Sequence, residues 1–370
     1  MKPIRVVALG WSIREGRWVF AFEVGLSREI EIECSAPGKL YLFGEYAVLA
    51  GGWSVVSAVG RRVVVRRYRE AGEYRVVGAD FGDESLVEAV LAQVAAGGDE
   101  GFTPGHFESD VSQLYERGRK LGLGSSAASC VALTGAAMAE SGADFDDDSR
   151  RRALPVAERA HTVFQGGQGS GGAVAAACLG GTLAVRRRGS TAGFVELGDV
   201  GAIEDCERVV DFEFVPLRMQ MPDGLSVRAF WLGEPASTTS FVDRVLRETR
   251  RDPAPVYRQF RKISTIAKKA IDEMSREDTA ALLETFRAGD EAMERLGELC
   301  EVPIVTDRHR RLREVAESAG AVAKPSGAGG GDFSLVVGDE ATDWERIGRE
   351  IPESVESVEL EFGAKGLAFS

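Results

Sequence analysis

Proline, cysteine and histidine are all scarce in this chain, at 12, 5 and 3 among 370 residues. The cysteines (Cys34, Cys130, Cys178, Cys206 and Cys300) are odd in number, widely spaced and form no CxxC pair. That argues against a disulfide framework or a cysteine-based zinc site and suits a reducing compartment. Long apolar runs are missing too. The two longest, around Ala127–Ala139 and Ala173–Val185, are broken by Ser, Thr and Gly. They fall short of the span of about 20 residues that a membrane helix needs. The amino-terminal segment lacks the apolar centre and cleavage site of a secretory signal, so a soluble cytoplasmic protein is expected. Basic charge is in deficit, with 45 Lys and Arg against 58 Asp and Glu, a net charge of −13. A nucleic-acid binder would show a basic face, and arginine-rich stretches such as Arg117–Lys120 are short. Neither nucleic acid nor a membrane is expected as a partner, while a local pocket for a small anion stays open.

Glycine is plentiful. The chain has 44 of them, against a usual share of about 7%, with no Gly-X-Y period. They bunch in short runs, which points to tight loops rather than linkers. Around those runs the periodicity predicts an α+β protein in two domains, residues 1–215 and 216–370. The first third is rich in strands, beginning with a hairpin over Ile4–Leu9 and Trp18–Val24. Strands follow at Glu29–Ser35, Val55–Val59 and Arg62–Arg69. Helices are predicted at Ser85–Ala96, Ser125–Ser141 and Asp146–Val163, then a strand at Gly180–Arg187. A second block opens near Phe212 with strands at Phe212–Met221 and Ser226–Leu232. Four helices near 239–250, 255–274, 276–299 and 307–318 come next, and Ser275 with Asp278 reads as a capping box for the third. The chain closes with a strand at Phe333–Val337, a short helix at 342–350 and a strand at Ser357–Phe362.

Three glycine-bearing segments carry the chemistry. In Lys120-Leu-Gly-Leu-Gly-Ser-Ser-Ala-Ala128, Gly122, Leu123 and Gly124 lead into an alanine-rich helix. Glycines there let the backbone wrap an anion, and the first-turn amides of Ser125, Ser126, Ala127 and Ala128 then face it. The serine hydroxyls can bind phosphate oxygen or Mg²⁺. An ordinary serine-capped helix start gives the same pattern. A dinucleotide fingerprint needs a buried strand just before it, and the residues there are mostly charged. In the second segment, Ser326, Gly327, Ala328, Gly329, Gly330 and Gly331 run up to Asp332 and a strand. In the third, Lys39 and Glu45 interrupt an otherwise apolar run from Ser35 to Leu49. Read alone, the second could be a tight turn, and Lys39 a solvated strand end. His161 could orient a loop or simply pack, and His106 and His309 read as surface residues.

In order and spacing, Pro37-Gly-Lys-Leu-Tyr-Leu-Phe-Gly-Glu45, Gly122-Leu-Gly-Ser-Ser-Ala127 and Ser326-Gly-Ala-Gly-Gly-Gly-Asp332 resemble the three motifs of the GHMP kinase superfamily. Gly44–Leu49, Lys120, Ala160-His161, Gly169–Gly171 and Trp231 with Ser237–Ser240 look most like its phosphomevalonate kinase branch. The resemblance spans roughly residues 31–340 and leaves the amino-terminal hairpin outside. It implies a ribosomal-S5-like amino-terminal domain, a ferredoxin-like carboxy-terminal domain and a site between them. It also implies ATP and Mg²⁺, with transfer to 5-phosphomevalonate giving the diphosphate, by a monomer or homodimer. By position, residues 122–128 would cradle the ATP phosphates, with Ser126 beside Mg²⁺, and Lys39 would meet the transferring or acceptor phosphate. Glu45, Lys120, Ser170, Gly171, Ser237, Thr238, Thr239, Ser326, Gly327, Ala328, Gly329, Gly330 and Asp332 would line the substrate side.

One position departs from the pattern. Where the family carries an aspartate, as general base or to orient the lysine, this chain has Ala173. Three readings are open: chemistry that needs no base, an engineered Asp-to-Ala change, or a binding protein without turnover. The first favours a phosphorylated acceptor, because a base is worth about 10²–10⁴-fold to an alcohol. A phosphate monoester, with a second pKa of about 6, is already ionised at neutral pH.

Overall fold

The computed structural model describes residues 5–12, 17–23, 29–68, 75–77, 84–96, 106–139, 146–167, 169–188, 194, 196–197, 203, 207–209, 212–217, 224–233 and 238–369. The amino-terminal hairpin is present, with β1 (Arg5–Ser12) antiparallel to β2 (Arg17–Glu23). Next comes β3 (Ile30–Phe43), which starts half-exposed and becomes buried on both faces as it enters the core. Ile32, Cys34 and Ala36 point inward, while Glu33 faces out to Arg66 at 2.6 Å. Its partner β4 (Ser54–Tyr68) is one long strand where the sequence predicts two. The register slips between Pro37 and Gly38, where proline has no N–H to give to the ladder.

The rest of this half comprises β5 (Arg75–Val77), α1 (Glu84–Ala96), β6 (His106–Asp110), β7 (Tyr115–Glu116), β8 (Arg119–Lys120), α2 (Ser125–Met138), α3 (Asp147–Phe164), α4 (Gly172–Leu179), β9 (Thr182–Arg187), β10 (Glu207–Val209) and β11 (Phe212–Leu217). The first sheet runs β10-β11-β9-β4-β3, with β6 beside β4 and β5 beside β6. β11 therefore belongs to this sheet through β9, and the second block does not open at Phe212. α2 is buried nearly all round because alanine and glycine let sheet and helices approach from every side. α3, with Asp146 capping its first turn, covers α2.

The second half holds β12 (Ser226–Trp231), α5 (Thr238–Arg251), α6 (Pro253–Arg276), α7 (Thr279–Cys300), α8 (Asp307–Ser318), β13 (Val322–Ser326), β14 (Phe333–Gly338), α9 (Trp344–Glu350), β15 (Glu356–Val358) and β16 (Ala368–Phe369). Its sheet is antiparallel, in the order β13-β14-β12-β15. The four predicted helices stand within three residues of their expected ends, but the capping box at Ser275 does not form. Ser275 lies inside α6 and donates to the Ile271 carbonyl, and Asp278 caps α7 through the Ala281 amide. The predicted strand at Ser357–Phe362 shortens to β15. Beyond it the chain returns to the first sheet, where β16 pairs with β3. Arg62 and Arg150 hold that return by donating to the carbonyls of Lys365, Gly366 and Leu367. Among the described residues no helix is long and apolar enough to cross a membrane.

His106 and His309 are corrections as well, since both are buried. His106 lies 5.3 Å from the Tyr68 ring. His309 closes the first turn of α8 with Thr306, whose hydroxyl is 2.8 Å from Nδ1. Burial among arginines pushes the His309 imidazole down to about 3, so it is neutral.

Candidate active site

The three glycine segments meet around one cavity of about 360 Å³. The end of β3 fixes its floor. The Lys39 amide donates to the Leu123 carbonyl at 2.8 Å, which ties the strand to the loop before α2. Gly122 and Gly124 hold φ of +79° and +78°, and Gly124 is the residue before the first turn of α2. Their missing side chains leave room for specific neighbours. A Cβ on Gly124 would come within 3.0 Å of Lys39 Cε, and one on Gly122 within 2.6 Å of the Asp332 carboxyl carbon.

Three helices aim their first turns at the cavity. α2 contributes Gly124, Ser126 and Ala127, α4 contributes Gly171 and Ala173, and α5 contributes Thr238, Thr239 and Val242. A helix N-terminus carries about half a positive charge. Lys39 and Lys120 add their amino groups, and Asp332 interacts with both. Burial pulls the Lys39 ammonium below the ordinary lysine range, while Asp332 and Glu45 oppose that pull and Lys120 adds to it. The wall thus gathers amide and amino donors within an acidic protein, chemistry suited to phosphate groups.

Not every predicted residue faces this space. Leu123, Ser125 and Ala128 are turned into the core, leaving Gly122, Gly124, Ser126 and Ala127 at the surface of the cavity. Ser326 is tied to the Tyr41 carbonyl at 2.8 Å. Gly329 and Gly330 pack on Ile304, whose carbonyl accepts from the Gly330 amide. Gly327, Ala328 and Glu45 line a smaller adjoining cavity of about 90 Å³, shared with Lys39, Ser170 and Thr238. Ser237 lies outside the described residues. Tyr41 was given no role from sequence, while Gln165 belongs with Gly166 to the stretch after His161 that carries the resemblance. Tyr41 bonds Ser170 at 2.9 Å and lies under Lys39, 5.1 Å from ring centre to Nζ, and Gln165 joins the wall beside Gly169. His161, left open above, also faces the cavity, and burial lowers its imidazole to about 4.

Behind the small cavity a buried ion pair joins the two halves. Lys324 Nζ is 2.5 Å from Glu45 Oε1, with both side chains at most 3% exposed. Removing one partner of such a pair strands a charge in the core. Lys324→Met is expected to cost about 3–5 kcal/mol in urea unfolding, and Glu45→Leu in the same chain to restore much of it. A loss under about 1 kcal/mol in the single variant would show that Glu45 does not depend on Lys324.

A family model described as the GHMP kinases N terminal domain matches residues 85–181. A phosphomevalonate kinase of Streptomyces sp. is 30% identical over 340 residues, covering 82% of this chain and 89% of that protein. The chain belongs to the GHMP kinase family. Among solved structures, this GHMP kinase shares its fold with Streptococcus pneumoniae phosphomevalonate kinase in complex with phosphomevalonate and AMPPNP. The TM-score is 0.73 at 18% identity, over 90% of this chain and 99% of that one. L. major mevalonate kinase in complex with R-mevalonate has a TM-score of 0.62 at 17% identity, over 90% and 95% of the two chains. The fold is thus common to kinases named for a phosphate-bearing acceptor and for an alcohol acceptor.

Proposed function

We propose that this GHMP kinase transfers the γ-phosphoryl group of ATP to the phosphate of 5-phosphomevalonate. The elements through β11 hold the nucleotide, and those from β12 to β15 contribute Thr238 and Thr239 to the acceptor side. The observation that carries the reading is a single cavity with three converging helix ends, two lysines and an alanine, Ala173, in the first turn of α4. The phosphomevalonate kinase relative supports the same acceptor.

In this reading the ATP phosphates lie on Gly122–Ala127 at the start of α2. The acceptor phosphate lies toward α4 and α5, within reach of Lys120, Ser170, Thr238 and Thr239. Lys39 stands between the two groups. A phosphate oxygen of the acceptor attacks the γ-phosphorus, the bond to the β–γ bridging oxygen breaks, and ADP leaves. The attacking oxygen is already ionised, so no proton has to be removed and the place of Ala173 needs no base. The protein's share is alignment and charge neutralisation.

Magnesium fits the donors present. Among the described residues no cluster of three or more acidic, His or Cys groups forms a metal cage. Nucleotide-bound Mg²⁺ takes few protein ligands, keeping phosphate oxygens and waters as the others. The Ser126 hydroxyl and the Asp332 carboxylate, both on the cavity wall, are the hard oxygen donors that would hold it. It would supply neutralisation of the transferring phosphates.

An ADP-release assay across phosphomevalonate, mevalonate, homoserine and galactose tests the acceptor. Turnover with phosphomevalonate alone is expected, and silence with all four would sink the kinase reading. Ala173→Asp is expected to leave phosphomevalonate turnover no higher than about threefold above wild type, because base catalysis has nothing to add. A gain of tenfold or more would mean that the missing carboxylate matters. It would then favour an impaired or altered enzyme, or an alcohol acceptor.

A further inference from the structure

Ser126 and His161 come from different helices, α2 and α3, and meet at the cavity wall. Ser126 Oγ is 3.3 Å from His161 Nε2. The imidazole is 5% exposed, and its other edge faces Gly169, where a Cβ would lie 3.5 Å from Nδ1. Backed by a glycine, the ring fills the space between the α2 start and the loop before α4. A hydroxyl serves a cation or a phosphate in one of two opposite ways. It gives its proton to an anion, or it gives the proton elsewhere and offers oxygen lone pairs to a cation. A ring nitrogen at hydrogen-bond distance selects between them by its tautomer, taking the hydroxyl proton when Nε2 is the bare nitrogen.

We infer that His161 is a positioning residue. Its Nε2 accepts the Ser126 hydroxyl proton, so the Oγ lone pairs point to the cation that accompanies the nucleotide. The inference rests on the nucleotide reading above and adds a residue to it. A side chain that only packed would change stability, or nucleotide affinity, to the same degree with and without metal. One that sets the hydroxyl acts only when the metal is there, and only through Ser126.

Calorimetric titration of ATP, with Mg²⁺ and with EDTA, separates these cases. Ser126→Ala and His161→Leu are each expected to weaken Mg-ATP about tenfold while leaving metal-free ATP within about twofold. The double variant should be no weaker than the weaker single, since the two residues act as one unit. His161→Gln places an oxygen near the position of Nε2 and is expected to stay within about threefold of wild type. His161→Asn reaches only toward Nδ1 and should lose what leucine loses. This polar pair carries the comparison if the leucine variant does not fold. Additive losses, equal losses with and without Mg²⁺, or wild-type affinity in His161→Leu alongside a weakened Ser126→Ala would each overturn the inference. A wild-type protein that binds no nucleotide would instead overturn the nucleotide reading itself.

Discussion

Lys39→Met is expected to lower turnover about 10²–10³-fold while leaving ATP affinity within about threefold. The reason lies in where its ammonium is held. Its backbone is fixed by the bond to Leu123, and its side chain lies along the glycine face of the α2 start. From there it reaches toward Gly327, whose missing Cβ would sit 4.0 Å from Nζ. The side chain therefore stands between the α2 start and the second half of the protein, where the proposed reaction places the transferring group. Ground-state ATP already has the α2 amides, so losing one cation costs it little. In the transition state the charge on the moving phosphoryl oxygens gathers at the place Lys39 covers, and methionine has the length but no charge to answer it. Steady-state ADP release gives kcat, and ATP titration gives affinity. Equal losses in both would show that Lys39 binds ATP instead of serving the transfer.

The glycine segments that meet at the cavity were legible in the sequence because a glycine loop leading into a helix is a local device. It needs small residues and free amides consecutive in the chain, so Gly122, Gly124 and Ser126 declare themselves without any tertiary information. The helices of the second half were legible for a related reason, since amphipathic periodicity over a dozen residues leaves little choice of structure. What stayed hidden depends on contacts between distant segments. Tyr41 lies in an apolar strand, and only the fold brings its hydroxyl to Ser170, 129 positions away. His309 looks like a surface residue in a highly charged stretch until its ring is seen closing the α8 cap. The return of the chain to the first sheet rests on a two-residue strand, β16, and on arginines far away in sequence, which no periodicity could reveal. Ser275 misled for the opposite reason: its local pattern suits a cap, but α6 runs on through it and Asp278 takes that place.

Gly122→Ala is expected to weaken ATP binding by about tenfold or more, through strain and displacement together. At φ of +79° the position lies in the left-handed region, which costs an alanine about 1–2 kcal/mol. The larger effect is steric. The new methyl would stand 2.6 Å from the Asp332 carboxyl carbon and 2.7 Å from one of its oxygens. Asp332 ends the second glycine segment and its carbonyl is bonded to the Leu232 amide, so beyond turning its carboxylate away the contact is relieved only by moving backbone. Either that segment moves off the cavity or the α2 loop flattens and its amides turn away. Both outcomes reach the phosphates, so nucleotide affinity is the right measurement. Gly118→Ala is the matched control. Its φ of +75° carries the same backbone penalty, but nothing lies within 4 Å of its Cβ. It should lower the unfolding midpoint without changing ATP affinity. If both alanine variants bind ATP as wild type does, the close approach of Asp332 to Gly122 has no part in holding the nucleotide. If both weaken it alike, backbone strain alone accounts for the loss. Weakened binding in Gly122→Ala only is the result that the contact between the two glycine segments demands.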